Sequence, residues 1–532
     1  METVNPKTPE EAARLAEQRA VQAQGQYKQG GVPAGFTSAE VFAALRDNEI
    51  GDSRLLIKVM KDRFTFDVKR QLFFRFAGGY WQKDLEEESL AFAARTLREA
   101  YGNEAQQQLA VALDLKEDEK ARNAAQVKHD RLKRRLDQVN TLRRQKNVLK
   151  LAATGLQGIV TTGNQWNIDP WTLQAGELLI DLKTGEARPG RPGDYINKAA
   201  PTKWKGLDEP AVAWTMFLHQ IFNQDSELVA YIQRVLGSAL VGKQNSQEFY
   251  ILWGATGRNG KSTALETLKE VLGADLASSV RSEMVMESKQ GGGGNADPEL
   301  LDLQGKRIVW TSETGDGKRL NTERMKLFTG GDTLAGRLNY SNEMIRFKPT
   351  HSLFMLTNHR PRIGGGDAAV WSRLRLIPFL LSFVDDPIAN HERKKDPDLQ
   401  EKLLREASGI LAWLVRGCLD WQKNGLNPPQ TVMEAGREYK MDEDPLQQFV
   451  NERCHLGTGY KAQAKPLYDD FAAWFTETYG ARASVPSLKR FSEQLQKLTG
   501  ITREVGSRYT YFHGLTLTAR DDAPEWVKNN DF

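Results

Sequence analysis

The residues best suited to chemistry lie in the stretch FYILWGATGRNGKST, residues 249–263. Gly257 and Gly260 let the backbone wrap closely around an anion, so that the amides from Gly257 through Arg258, Asn259 and Gly260 and the start of the following helix face phosphates. Lys261 then neutralises phosphate charge, and Ser262 is placed to offer its hydroxyl to a magnesium ion, with Thr263 completing the segment. The usual spacing is a glycine, four residues, then Gly-Lys-Ser, whereas Ala255 holds the first position here and Gly254 falls one residue early. A small alanine is tolerable there, because the tightest contacts fall at Gly257 to Lys261. The loop specifies a triphosphate such as ATP with Mg2+, but not what its hydrolysis drives.

Three more groups follow at intervals. Glu313 ends KRIVWTSET, where a carboxylate at a strand tip beside the loop can hold magnesium and polarise an attacking water. Triphosphate-hydrolysing sites often place two acids there, but Thr311 and Ser312 precede a lone Glu313, which takes both duties with Ser312 assisting; taken alone it reads as a surface glutamate. Asn358 ends HSLFMLTN and can position the attacking water or the terminal phosphate, although an isolated Asn after a strand is a turn residue. Arg373 and Arg375 precede the apolar Leu-Ile-Pro-Phe. Between these groups, Leu338, Tyr340, Ile345 and Phe347 give hairpin patterning around residues 341–343. Arg337, Arg346 and Lys348 surround it with positive charge, as phosphate contacts with nucleic acid require.

The elements that must carry these residues are legible in outline. Residues 249–253 form a buried strand, and Leu265, Leu268, Val271 and Leu272 have helical spacing. Residues 306–314 read as the second core strand and 351–358 as the third, while the apolar positions from 210 to 242 predict packed helices leading into the first. The run QGGGGN after the first core helix is a loop that either faces a substrate or only links.

Upstream, residues 1 to about 35 are rich in Ala, Gln, Glu and Gly and read as a mobile tail. From Ser53 the pattern is a helix, then short strands about Gly78-Gly79, then a long helical region to about Leu151. Its segment KHDRLKRRLDQVNTLRRQKNVLK is strongly basic, and reads equally as a solvated face, a subunit contact or a nucleic-acid track. Two short strands with Lys-Thr-Gly and Pro-Gly turns follow. Downstream, residues 386–400 look like an exposed connector and 403–419 an amphipathic helix. Helices around LYDDFAAWF and SLKRFSEQLQKL and strands TREVG and YTYFHGLTL then give a winged-helix pattern. Ser487 is its candidate N-cap, and Lys489 and Arg490 can reach DNA phosphates. Winged helices also mediate protein contacts.

The chain has 532 residues, 40% hydrophobic and 27% charged, with net charge +4. That describes a soluble multidomain protein with no membrane partner, and the polar start resembles neither a secretory signal nor a transit peptide, so a cytoplasmic location is expected. Two cysteines, Cys418 and Cys454, exclude a disulfide framework and a four-thiolate zinc site. Cys454 beside His455 reads as a structural pair.

In order and spacing, GRNGKST, SETGDGKRLN, KLFTGGD with AGR, TNHRPRI and DAAVWSRLRLIPF resemble the superfamily 3 helicase core of phage, plasmid and poxvirus replicative primase-helicases. The match runs from about Ser246 to Phe383, and the preceding IDPWTLQ and LLIDLKTGEARPGRPGDY resemble the module before that core. The resemblance implies an α/β AAA+ ATPase with an α+β N-terminal module and a C-terminal winged helix. Its boundaries would be a flexible tail at 1–50, the N-terminal module at 51–205, the core at 206–385, a connector with a helix at 386–440 and the winged helix at 441–532. It further implies a hexameric ring, ATP bound between subunits, 3′ to 5′ movement on single-stranded or forked DNA, and a bacterial host cell.

By motif position, Glu313 becomes the Walker B acid and Asn358 the sensor. Arg373 becomes the finger reaching a neighbour's ATP, with Arg375 the alternative because Ser372 replaces the family's first arginine. The lysine that grips DNA at the hairpin tip in related rings has no counterpart in Ser341-Asn342-Glu343, so the grip moves to Arg346 and Lys348. About fifty tail residues cannot fold a primase, which makes a separately encoded primase or polymerase the expected partner. An ATP-regulated origin-binding initiator is the alternative function. A metabolic kinase fits poorly, since the hairpin insertion would then have no use.

Overall fold

In the computed structural model, residues 35–115, 117–155, 157–244, 246–287, 298–312, 318–337, 344–363, 368–479 and 485–518 are described. The folded chain starts earlier than the tail expected at 1–50, with helix Ser38–Arg46. Thr37 and Glu40 form a capping box: Glu40 N donates to Thr37 Oγ1 at 3.3 Å and Thr37 N to Glu40 Oε2 at 2.8 Å. Val41 and Ala44 of that helix lie in one core with Leu56, Met60, Leu97 and Tyr101. The capping box TSAE was the available sequence signal.

Helices Asn48–Met60, Glu88–Asp114, Glu119–Val139 and Leu142–Ala152 complete this layer. The expected strands about Gly78-Gly79 are present as Leu72–Ala77 and Tyr80–Lys83. A second small sheet is built from Thr172–Ala175, Leu178–Asp181, Ala187–Pro189 and Ala199–Ala200. Leu173 and Ile180 from it enter the same core as the helices beneath the central sheet.

The central sheet has five strands, labelled in chain order β1 (Phe249–Trp253), β2 (Ala277–Val280), β3 (Ile308–Thr311), β4 (Ser352–Thr357) and β5 (Leu374–Pro378). Their spatial order is β2-β3-β4-β1-β5, and every neighbouring pair is parallel. Parallel sheets need cover on both faces, and the run Phe249–Leu252 is accordingly buried throughout. The edge strand β2 was not expected. Its sequence ASSV carries one large apolar residue, too little for a periodic signal.

One face of the sheet is covered by helices Val212–Ile221, Ser226–Ala239, Lys261–Leu272 and Ala407–Asn424, whose side chains share a single core. The region 386–440 is therefore only partly a connector. Ile410, Leu411, Leu414 and Val415 are fully buried, and Gly409 and Gly417 sit so close to the Pro210 and Gln233 backbones that a Cβ would collide. Tyr439, from helix Gln430–Asp442, joins the core on the opposite face.

The last module runs helix Pro445–Arg453, strand Cys454–Gln463, helix Ala464–Tyr479, helix Leu488–Leu495, then strands Thr502–Val505 and Thr510–Leu517. The final strand lies between the other two. Phe449, Phe471, Trp474, Phe491 and Phe512 form its core.

Candidate nucleotide site

Because β1, β3 and β4 are parallel, the segments following them emerge at one edge of the sheet. The loop after β1 is shaped by packing. A Cβ on Gly254 would lie 2.7 Å from both Asn259 Nδ2 and the Phe379 carbonyl oxygen, whereas Ala255 is exposed. That explains the displaced glycine: the tight position is 254, and 255 has room for a methyl group. Gly260 has φ +86 and a Cβ there would meet Ile221 Cγ2 at 2.7 Å. Arg258 also occupies the left-handed region, at φ +61.

Two side chains anchor the loop from inside. Asn259 is 3% exposed, and its Nδ2 donates to the Thr256 carbonyl. Ser382 Oγ lies 2.8 Å from both Thr256 Oγ1 and the Gly257 oxygen. Ser382 has no distinguishing motif around it, and sequence reasoning missed it.

Lys261 opens helix Lys261–Leu272 and is 6% exposed. Its Nζ donates to Asn259 Oδ1 at 2.6 Å and to Asn358 Oδ1 at 2.9 Å, so Lys261 meets a residue 97 positions further along the chain. Both of these acceptors are amide oxygens, and they orient the ammonium toward the loop edge. Asn358 follows β4, where Thr357 Oγ1 accepts from His359 N at 3.1 Å and fixes the turn. Ser262 and the side chain of Arg258 are exposed, and Thr263 is half-buried. Glu313 lies outside the described residues; β3 ends at Thr311, and Ser312 is exposed beyond it.

Arg373 and Arg375 are not brought to this edge. Leu374 pairs in register with Phe249, so both arginines sit where β1 begins, a five-residue strand away from its loop, or roughly 16 Å. Arg373 Nη1 donates to the Lys326 oxygen at 3.2 Å and to Thr329 Oγ1 at 3.3 Å. Arg375 Nη2 is ion-paired with Glu248 at 2.8 Å, and this partner occupies its charge.

The hairpin exists as strands Leu334–Arg337 and Met344–Phe347, with Ala335 opposite Arg346. Arg346 and Lys348 are exposed, while the tip, 338–343, lies outside the described residues, as does the glycine run 291–294. Ser487 does cap helix Leu488–Leu495, accepting from Arg490 N at 3.4 Å, and Lys489 and Arg490 are exposed on its first turn.

Of the basic helical segment, part of the charge is structural. Buried Asp52 accepts from Arg135 Nη1 at 2.9 Å, from Arg144 Nη2 at 2.6 Å and from the Tyr101 hydroxyl. Arg143, Lys146 and Lys150 stay exposed. Cys454 is buried, its thiol pushed up to about 12 by burial, and the neighbouring His455 is exposed on the strand's other side. Among the described residues no helix is long and apolar enough to cross a membrane, and no three metal-binding side chains cluster.

Residues 53–223 match the family described as D5 N terminal like. Viral proteins are among those to which the chain is similar. "Putative helicase L207/L206" of Acanthamoeba polyphaga mimivirus is 32% identical over 60% of this chain and 34% of its own length. "Putative helicase 022R" of Frog virus 3 is 25% identical over 52% and 28%, and "Putative helicase 184R" of Invertebrate iridescent virus 6 is 26% identical over 59% and 35%. The chain thus spans about a third of the length of these relatives. Among solved structures, the apo NrS-1 C terminal region (305-718) matches with a TM-score of 0.45 at 12% identity, covering 87% of this chain and 99% of that one. The likeness to viral replicative helicases read from the motifs stands. A bacterial host gains no support from relatives encoded by these viruses.

Proposed function

We propose that this relative of viral helicases is an ATP-dependent DNA helicase, with an AAA+ core, a C-terminal winged helix and the superfamily 3 arrangement of ATP between subunits of a hexameric ring moving 3′ to 5′. The observation that carries the reading is the meeting of Lys261 with Asn259 and Asn358 at the edge where the phosphate loop emerges. A buried ammonium oriented by two amide oxygens, beside a loop that is open at Gly257, where a Cβ would meet nothing within 4 Å, fits a triphosphate. Magnesium, when bound, would neutralise phosphate charge, with Ser262 and Glu313 as its protein ligands.

In this account Lys261 binds the phosphates, and Asn358 fixes the lysine and orients the attacking water. Glu313 polarises that water. The distance of Arg373 from its own loop supports a role at a neighbour's site, and the Glu248 pair of Arg375 favours Arg373 over Arg375 as the finger. Arg346 and Lys348 then meet DNA phosphates next to the hairpin, and Lys489 and Arg490 meet them from the winged helix. A primase or polymerase remains the proposed partner.

DNA-stimulated ATPase measured on wild type and Arg373→Ala, alone and mixed, tests the inter-subunit site. A trans finger contributes about 10³–10⁵ in rate, so small amounts of mutant should depress the wild-type rate more than dilution does. Strict additivity of the mixtures contradicts it. Sequence-selective duplex binding without unwinding would instead favour an ATP-regulated origin-binding initiator, a reading to which the exposed cations of the capped helix Leu488–Leu495 also lend themselves.

A further inference from the structure

Away from the nucleotide edge, a small cavity of about 30 Å³ lies between the second small sheet and the start of the central sheet. Asn167, Gln174, Lys198, Gly242, Arg307 and Thr350 contribute polar lining. Its most unusual member is Arg307. The side chain is 6% exposed, and Nε has no hydrogen-bond partner. Among the described residues no carboxylate pairs with its guanidinium, and burial, with no opposing charge, lowers its pKa to about 10. Gly242 makes room for it, since any side chain there would run into the guanidinium.

The neighbouring charges do not supply the missing anion. Lys198 reaches the cavity and donates to the Asp275 carbonyl oxygen at 3.2 Å; burial first, and then repulsion from Lys306, push it down to about 8. Asp275 and Asp302 offset part of this at Lys198, and Lys83 adds to the repulsion. Asp302 is engaged by Lys306 at 3.4 Å. A guanidinium buried without a counter-charge is expensive in a protein interior, by several kcal/mol even after relaxation.

We propose that this cavity is a structural site for a small monovalent inorganic anion, chloride, held by Arg307 with Lys198. Its size admits about two water-sized occupants. A chloride accepting from the Arg307 guanidinium, with one water donating to the chloride, fills it and supplies the missing counter-charge. A phosphate or nucleotide is too large. The anion then joins the small sheet, through Lys198 beside strand Ala199–Ala200, to the central sheet, through Arg307. It lies at the opposite edge from Lys261, since Arg307 immediately precedes β3.

The test is the melting of the full chain at constant ionic strength, with sodium gluconate replaced stepwise by chloride or bromide. A saturating rise in Tm of a few degrees is expected, as mass action requires for a ligand of the folded state. Arg307→Met should lose that dependence and melt in gluconate no lower than wild type. Lys261→Ala should keep it, which separates this site from the nucleotide reading. A wild-type Tm that does not depend on anion identity, or that changes linearly without saturation, means the cavity holds water only and overturns the proposal. If Arg307→Met does not fold, 35Cl NMR of the wild type decides. Excess line width removed by bromide supports the site, and its absence contradicts it.

Discussion

At the residue scale, Lys261 and its two amide partners carry the account. Lys261→Ala should abolish ATP turnover with the fold intact, checked by steady-state hydrolysis beside circular dichroism. Asn358→Ala should lower kcat by roughly 10²-fold or more, as expected for a group aligning the attack, while nucleotide affinity changes little. The packing of the loop gives a sharper pair. Ala255→Gly should leave hydrolysis within about twofold, because the alanine is exposed. Gly254→Ala should weaken nucleotide binding and cost about 1–3 kcal/mol in stability, because its methyl group meets Asn259 and the Phe379 carbonyl. A fluorescent nucleotide titration distinguishes them. If Ala255→Gly strengthens binding while Gly254→Ala is neutral, the packing explanation of the displaced glycine is wrong.

At the scale of elements, strongly apolar or strongly periodic segments were legible and weakly apolar ones were not. Strands β1, β3 and β4, the second hairpin arm and the capped helix Leu488–Leu495 lie where the sequence placed them, because each combines an apolar run or a cap with turn residues, whereas the first arm is Leu334–Arg337 and the expected Leu338 and Tyr340 lie outside the described residues. Strand β2 and Cys454–Gln463 lack that signal, the latter being mostly exposed. The helix Ala407–Asn424 was recognised as amphipathic, but its partner across the chain, Ser226–Ala239, cannot be read from spacing alone. At the site, Lys261 and Asn358 were legible as types and their contact was not, since it depends on β4 lying beside β1.

The same limit applies to the basic helices, where only three-dimensional packing separates Arg135 and Arg144 from the exposed cations. Asp52→Ala should therefore destabilise the chain by about 3–5 kcal/mol, because it strands two largely buried guanidinium groups. Denaturant unfolding followed at Trp81, in the neighbouring sheet, and Trp166, which packs on it, would read it. A loss below about 1 kcal/mol would mean that the network is solvated. At the hairpin, replacing Arg346 and Lys348 together by Ala should lower the salt dependence of DNA binding by about one unit in slope per residue. Hydrolysis without DNA should be unchanged.

At the scale of the whole molecule, the nucleotide edge and the arginine edge lie at opposite ends of one parallel sheet. A single chain therefore presents a phosphate loop in one direction and Arg373 in the other, which is what a ring of identical subunits uses to complete each site with its neighbour. The hairpin and the C-terminal module are then the parts that hydrolysis would move against DNA. The most direct measurement of the central claim is strand displacement from a forked DNA duplex in ATP and magnesium. Wild type should release the strand, and Lys261→Ala should not. Wild type that hydrolyses ATP in the presence of the fork yet releases no strand would contradict the helicase account.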